Sequence, residues 1–177
     1  MAEREETETV LRIHRELGVP TDYAARTGLA MQTTPEDLVD IGEDMFGRPQ
    51  RLRRLAAEAW QSMSRSAAED GVEILVVSAF RSLDYQVELI RAKLTAGEAI
   101  QDVLTRIAAP GFSEHQSGCA LDLGTRDSLP VTNAFESTDA HAWLGSHAVE
   151  HGFVLSDPND NPHGVIYEPW HWCFEHP

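Results

Sequence analysis

The sequence predicts an α+β fold: a small, mostly antiparallel sheet backed by helices and preceded by a helical N-terminal arm. Three observations predict it. Apolar residues recur at helical spacing through most of the first 108 positions. After Pro110-Gly111 the signal changes to short apolar runs separated by turn residues. One amphipathic segment, roughly 138–151, is inserted among those runs. The chain has 177 residues, 42% apolar and 24% charged, so one compact domain with a real core is expected. Within it the reading separates a helical extension, 1–48, from a domain at 49–177.

Taken in order, Val10, Leu11, Ile13 and Leu17 mark a first helix that Gly18-Val-Pro20 ends. Thr34 as N-cap with Pro35 at the first helical position predicts another helix start. A stronger helix is expected from Pro49, with Leu52, Leu55, Ala56, Ala59, Trp60, Met63 and Ala67 on one face and Gly71 at its stop. Val72–Val77 is nearly all apolar and β-branched, a buried strand. Ser82 then caps a helix carrying Val87, Leu89, Ile90 and Leu94, and a further helix is expected over roughly 97–108. Strands are expected at 119–123, 153–155, 165–167 and 170–174, and Gly152 ends the inserted helix.

Fourteen Lys and Arg stand against 29 Asp and Glu, a formal charge of −15. Such a surface repels phosphate, which argues against nucleic acid and anionic membranes as partners. No apolar run approaches the ~20 residues that span a bilayer. The first residues lack the basic and apolar regions of a secretory signal, so the expectation is cytoplasmic as the sequence stands, or extracytoplasmic with a leader removed. Cys119 and Cys173 read as two buried thiols, or as one disulfide if the protein is exported. The charge is uneven. Residues 51–100 are neutral, whereas 101–177 hold two arginines, eleven acids and every histidine but His14. That concentration is compatible with a bound metal cation.

Two segments carry candidate chemistry. In Ser113-Glu-His115-Gln-Ser-Gly118-Cys-Ala-Leu-Asp122, a glycine between the two polar residues lets a loop His and a strand Asp converge. Alone this is half a zinc site, and a structural hydrogen-bonded pair accounts for it equally. In Glu168-Pro-Trp170-His171-Trp172, strand alternation sends both tryptophans to one face and His171 to the other. A turn before the strand brings Glu168 toward the same cleft. Two nitrogens and one oxygen would hold a metal with a position left for water, and a nearby carboxylate could relay that water's proton. This is the chemistry of metal-assisted amide hydrolysis.

In order, the chain contains Ser78-Ala-Phe-Arg81-Ser-x-x-x-Gln86, Ser113-x-His115-x-x-Gly118-x-Ala120-x-Asp122, Trp143-Leu, Gly152-Phe153 and Glu168-Pro-Trp-His171. This set resembles the VanY-type branch of the zinc D,D-/L,D-carboxypeptidases of bacterial peptidoglycan, the peptidase family that also contains the VanX dipeptidases. The resemblance spans roughly residues 50–174. It implies a small antiparallel sheet backed by helices, and zinc held by His115, Asp122 and His171. It implies Glu168 as general base and acid, and Arg81 beside the scissile carbonyl. Gln86 and Ser113 match positions lining the substrate site. The implied partner is a peptidoglycan stem peptide. An endopeptidase of the same family and a zinc-stabilised binding module remain alternatives.

Two positions depart from the family pattern: Cys173 stands where members often carry Arg, and Asp157 where many carry Tyr. His147-Ala-Val-Glu150-His151 matches the H-x-x-E-H spacing of another metalloprotease class. Only 26 residues follow it, and its helix carries Trp143, Leu144 and Ala148 as a packing stripe, so it reads as a solvated helix face. His14, His141, His163 and His176 read as surface residues, with His163 in a turn that could line the cleft's edge.

Overall fold

A computed structural model describes residues 2–175, with side chains from Glu5 onward. The chain runs α1 (Ala2–Leu17), α2 (Tyr23–Thr27), β1 (Leu38–Glu43), β2 (Pro49–Arg53), α3 (Arg54–Glu69), β3 (Leu75–Ser78), α4 (Leu83–Thr95), α5 (Ile100–Val103), β4 (Ala120–Gly124), α6 (Asp139–His147), β5 (Phe153–Leu155) and β6 (His171–Phe174). The four longer-range strands form one antiparallel sheet in the order β3-β4-β6-β5, and β1 and β2 form a separate hairpin. The expected α+β architecture is therefore present. Among the described residues no helix is long and apolar enough to cross a membrane.

The main core joins that sheet to α3 and α6 through Ala56, Trp60, Met63, Leu121, Leu123, Trp143 and Trp172. Trp170 and Trp172 are both buried there, as their alternation with His171 demands. Cys119 and Cys173 are both free thiols, the first half-buried and the second buried.

Ser82 caps α4 as expected, its Oγ accepting the backbone N–H of Tyr85 at 3.2 Å. Several expected elements are corrected. Residues 34–37 start no helix; they lead into β1, where Val39 and Ile41 pack on the core and pair with β2. The helix expected from Pro49 begins at Arg54. Residues 49–53 are strand, and Leu52 fits both patterns because it is buried either way. Leu55 consequently turns outward and is 50% exposed. The hairpin thus straddles the boundary drawn at residue 48, and the segment before it is not helical throughout. Only 100–103 of the expected 97–108 helix forms. Residues 165–167 are loop, held at one point where the Ile166 N–H reaches the Thr105 carbonyl at 2.9 Å. The inserted helix stops at His147 and finishes as a 3-10 turn, Ala148–His151.

A second apolar cluster explains the N-terminal arm. Val10, Ile13 and Leu17 of α1 and Tyr23 of α2 pack against Val87, Ile90 and Phe112. His14 belongs here and is buried, not exposed as its lone position suggested: its Nε2 lies 2.8 Å from the Pro110 carbonyl. The Tyr23 hydroxyl accepts from the Ala109 N–H (3.1 Å), and the Gln32 N–H donates to the Gly111 carbonyl (2.7 Å). The arm thereby grips the loop 109–113 that leads to His115. Gly111 is where contact is closest. Its φ is +85°, and a Cβ there would stand 2.9 Å from both Val10 methyls. Gly111→Ala is expected to cost about 1–3 kcal/mol in chemical denaturation, from a strained backbone and a crowded methyl together. Unchanged stability would show that α1 does not clamp this loop.

Candidate metal centre

Strand pairing builds most of the site. Asp122 on β4 lies directly opposite His171 on β6 and also pairs with Ser78 on β3. The third residue arrives from a 3-10 turn, Glu114–Ser117, which Gly118 ends at φ +72°. A side chain at 118 would press on Arg53 and Leu38 of the hairpin at 3.0 Å, so glycine serves both the turn and the close approach. The Arg53 N–H holds the Gly118 carbonyl at 2.8 Å.

His115, Asp122 and His171 converge, with one ligand atom from each within 4.8 Å of the others. All three are buried. His115 Nε2 is 3.2 Å and His171 Nδ1 3.1 Å from the same carboxylate oxygen, Asp122 Oδ1. The far nitrogens are also engaged. His115 Nδ1 lies 2.6 Å from the Ala79 carbonyl, and His171 Nε2 lies 2.9 Å from Glu114 Oε2. A carbonyl only accepts, so His115 carries its proton on Nδ1 and turns a bare Nε2 lone pair toward Asp122. Burial, reinforced by Arg81, pushes this imidazole down to about 4, so it is neutral. Two acceptors then face each other at 3.2 Å with no proton between them. A cation among the three ligand atoms would relieve that opposition, and two imidazoles with one carboxylate are the donor set zinc takes.

The surrounding charges are strongly coupled. Burial opposes ionisation of Asp122, yet the Arg81 charge and the hydrogen bond from His171 hold its carboxyl well below the usual range. Burial likewise disfavours charge on His171, but hydrogen bonds and charge from Asp122 and Glu114 raise it well above its ordinary value. Glu114 follows the same logic, with His171 keeping it ionised despite burial. Nothing in the sequence reading singled out Glu114. It occupies the unspecified position of Ser-x-His, and only its fold-dependent reach to His171 shows that it orients that ring.

The remaining expected residues line one cleft of about 440 Å³ with the three ligand candidates. Arg81 follows β3, pairs with Asp122 through Nη2, and donates from Nε to Ser78 Oγ at 3.0 Å. Glu168 sits just before β6; its carbonyl accepts the His171 N–H at 3.0 Å. Burial, partly countered by His171 and aided by Asp122 and Asp157, pushes its carboxyl up to about 7. Ser113 and Gln86 are buried in the cleft wall. Gln86 donates to the Ala108 carbonyl at 2.8 Å, and its Oε1 has no hydrogen-bond partner among the described residues. Asp157, one of the departures, also lines the cleft, with its carboxyl raised by burial.

The rings of His147 and His151 lie 4.9 and 6.3 Å from Trp143, and among the described residues the only three-residue cluster fit for a metal is His115, Asp122 and His171. His163 does reach the cleft's edge, tied to the Thr27 carbonyl at 2.7 Å. His141 is half-buried near Phe135 and Trp172, and His176 lies outside the described residues.

Residues 49–177 match the VanY family of D-alanyl-D-alanine carboxypeptidases. The chain belongs to that family. A Bacillus subtilis strain 168 protein, YodJ, which bears a carboxypeptidase name, is 34% identical over 146 residues, 77% of this chain and 52% of its own. The LD-carboxypeptidase LdcB shares the fold at a TM-score of 0.72 and 31% identity, over 80% of this chain and 69% of its own. A mutant of the vancomycin-resistance D,D-pentapeptidase VanY, solved with Zn(II), matches at 0.62 and 25% identity, over 84% of this chain and 87% of its own. The chain spans about half the length of the curated relatives it matches. The region matched to the VanY family contains the four-stranded sheet and His115, Asp122 and His171, and it leaves out α1, α2 and β1.

Proposed function

We propose that this chain is a zinc carboxypeptidase that removes the C-terminal D-amino acid from peptidoglycan stem peptides. One observation carries the reading: in a VanY-family chain, one cleft gathers the His115/Asp122/His171 cluster, a carboxyl poised near neutrality and a guanidinium. His115, Asp122 and His171 would hold the zinc. Bound there, it supplies Lewis acidity, which lowers the pKa of a nearby water and polarises the scissile carbonyl.

The chain's own groups do the rest. Glu168 accepts the water's proton and delivers it to the leaving amine, a relay suited to a carboxyl whose pKa lies close to working pH. Arg81 is fixed through Nε and Nη2, and its Nη1 makes no protein hydrogen bond among the described residues. That free N–H faces the charge developing on the carbonyl oxygen. Glu114 and the Ala79 carbonyl keep the two imidazoles turned with the correct nitrogen inward. Ser113 and Gln86 contact the peptide.

The test is release of D-Ala from tetrapeptide and pentapeptide stems by metal-depleted and zinc-restored protein. Release should depend on zinc and return with it. Undiminished release without metal would sink the mechanism. Cuts only inside the stem would make the protein an endopeptidase, and zinc content without any hydrolysis would make it a binding module.

A further inference from the structure

A second groove of about 260 Å³ adjoins the metal cleft at Arg81. Arg81 lines both. The groove is built from β2 and the β3–α4 connection, with Arg48, Arg51, Phe80, Ser82 and Tyr85 in its wall. It contains three arginines and no carboxylate, within a chain of net charge −15. The metal cleft is the reverse. Glu114, Asp122, Asp157 and Glu168 all line it, and its outlying cations, Lys93 and Arg106, are both paired with Glu98.

The three arginines differ in what they have left to offer. Arg48 is committed through Nε to Asp44 at 2.7 Å and through Nη2 to the Val77 carbonyl at 2.9 Å. Arg81 is paired with Asp122. Arg51 is exposed and forms no ion pair among the described residues. Its guanidinium carbon sits 5.4 Å from the centre of the Phe80 ring. That contact orients the guanidinium and spends none of its N–H donors on an acid.

A stem-peptide substrate carries carboxylates, and the acidic metal cleft disfavours a second one. We infer that Arg51 binds a substrate carboxylate in this groove while the scissile bond lies in the metal cleft, so that the peptide crosses Arg81. The inference rests on the carboxypeptidase reading and adds to it an anion subsite. The carboxylate has two possible sources with the same chemistry: the peptide's C-terminus, or an acidic residue within the stem.

Binding separates them. Zinc-loaded Glu168→Gln protein, which leaves the peptide uncut, is titrated calorimetrically with a stem pentapeptide before and after adding Arg51→Gln. A loss of about tenfold or more is expected from removing one charged hydrogen-bonding partner, with part of it restored by Arg51→Lys. The Arg51 side chain is exposed, and equal zinc content and melting temperature check that the variant folds as the parent does. Peptides amidated at the C-terminus or at the internal acid are then compared. The amide that cancels the Arg51→Gln penalty names the carboxylate. A penalty below twofold, no binding by the parent protein, or a penalty that survives both amides overturns the inference. D-Ala release by the unaltered protein is scored separately, so a working carboxypeptidase with an indifferent Arg51 loses only the subsite.

Discussion

Glu168→Gln is expected to keep its metal and to lose nearly all turnover. The amide is the same size and stays in the same cleft wall, so the three ligand candidates are undisturbed. It cannot take a proton from water, and a positioned general base contributes about 10²–10⁴-fold. The expected result is a fall in kcat of that order with unchanged zinc stoichiometry; loss of zinc instead would make Glu168 a ligand. The pH profile carries the same signature. The base works ionised, and without metal its carboxyl is pushed up to about 7, so kcat/KM declines as pH falls through its acid limb. A bound dication favours the carboxylate and moves that limb downward, which makes about 7 its upper bound. In Glu168→Gln the limb disappears from any residual activity. Stability moves the other way. A carboxyl raised from 4.5 makes the folded state bind the extra proton, so folding weakens as pH rises through that window. Metal-free Glu168→Gln should therefore melt no lower than the parent protein above pH 7. A lower melting temperature there would mean that the carboxylate is held by something other than an unfavourable burial.

How much of this was legible depended on whether a residue's role is local. Asp122 and His171 sit on strands, and alternation alone decides which face each shows; their pairing opposite one another needed only the antiparallel sheet. Gly118 announced the turn that carries His115. Ser82 announced its helix. The misreadings are places where a tertiary partner decides. Val39 and Ile41 become strand because β2 lies beside them, and Leu52 satisfies a helical stripe and a strand alternation at once. His14 looks solitary until the Pro110 carbonyl, 96 residues away, meets it. Glu114 stands at a motif's wild-card position, and its meaning comes from His171, 57 residues on. Arg81 links both kinds. It lies in the charge-neutral middle of the sequence, and the fold presses it against the acidic C-terminal half, where it pairs with Asp122.

That pairing makes Asp122 the residue whose loss reaches furthest. Its Oδ1 meets both histidines and its Oδ2 meets Arg81. Asp122→Asn keeps the shape and removes the charge. Zinc affinity, measured by competition with a chromophoric chelator, should fall by more than about a hundredfold, since even partners behind a ligand are worth 10–100-fold. Asp122→Ala should lose zinc as well, and also strand a guanidinium and an imidazole in a buried site, at about 3–5 kcal/mol in the metal-free protein. Asparagine, which can still bond one partner, should cost less. The pH dependence identifies the cause. A carboxyl depressed below 3.8 contributes stability present above that value and lost as pH falls through its folded pKa. An imidazole raised above 6.5 contributes stability present below that value and lost as pH rises through its own. Both contributions are in force between 3.8 and 6.5, so the gap between metal-free parent and Asp122→Asn should be widest there and should narrow in alkali. A gap independent of pH would mean that Asp122 stabilises by shape and not by charge. Zinc bound by Asp122→Asn as tightly as by the parent would remove it from the ligand set.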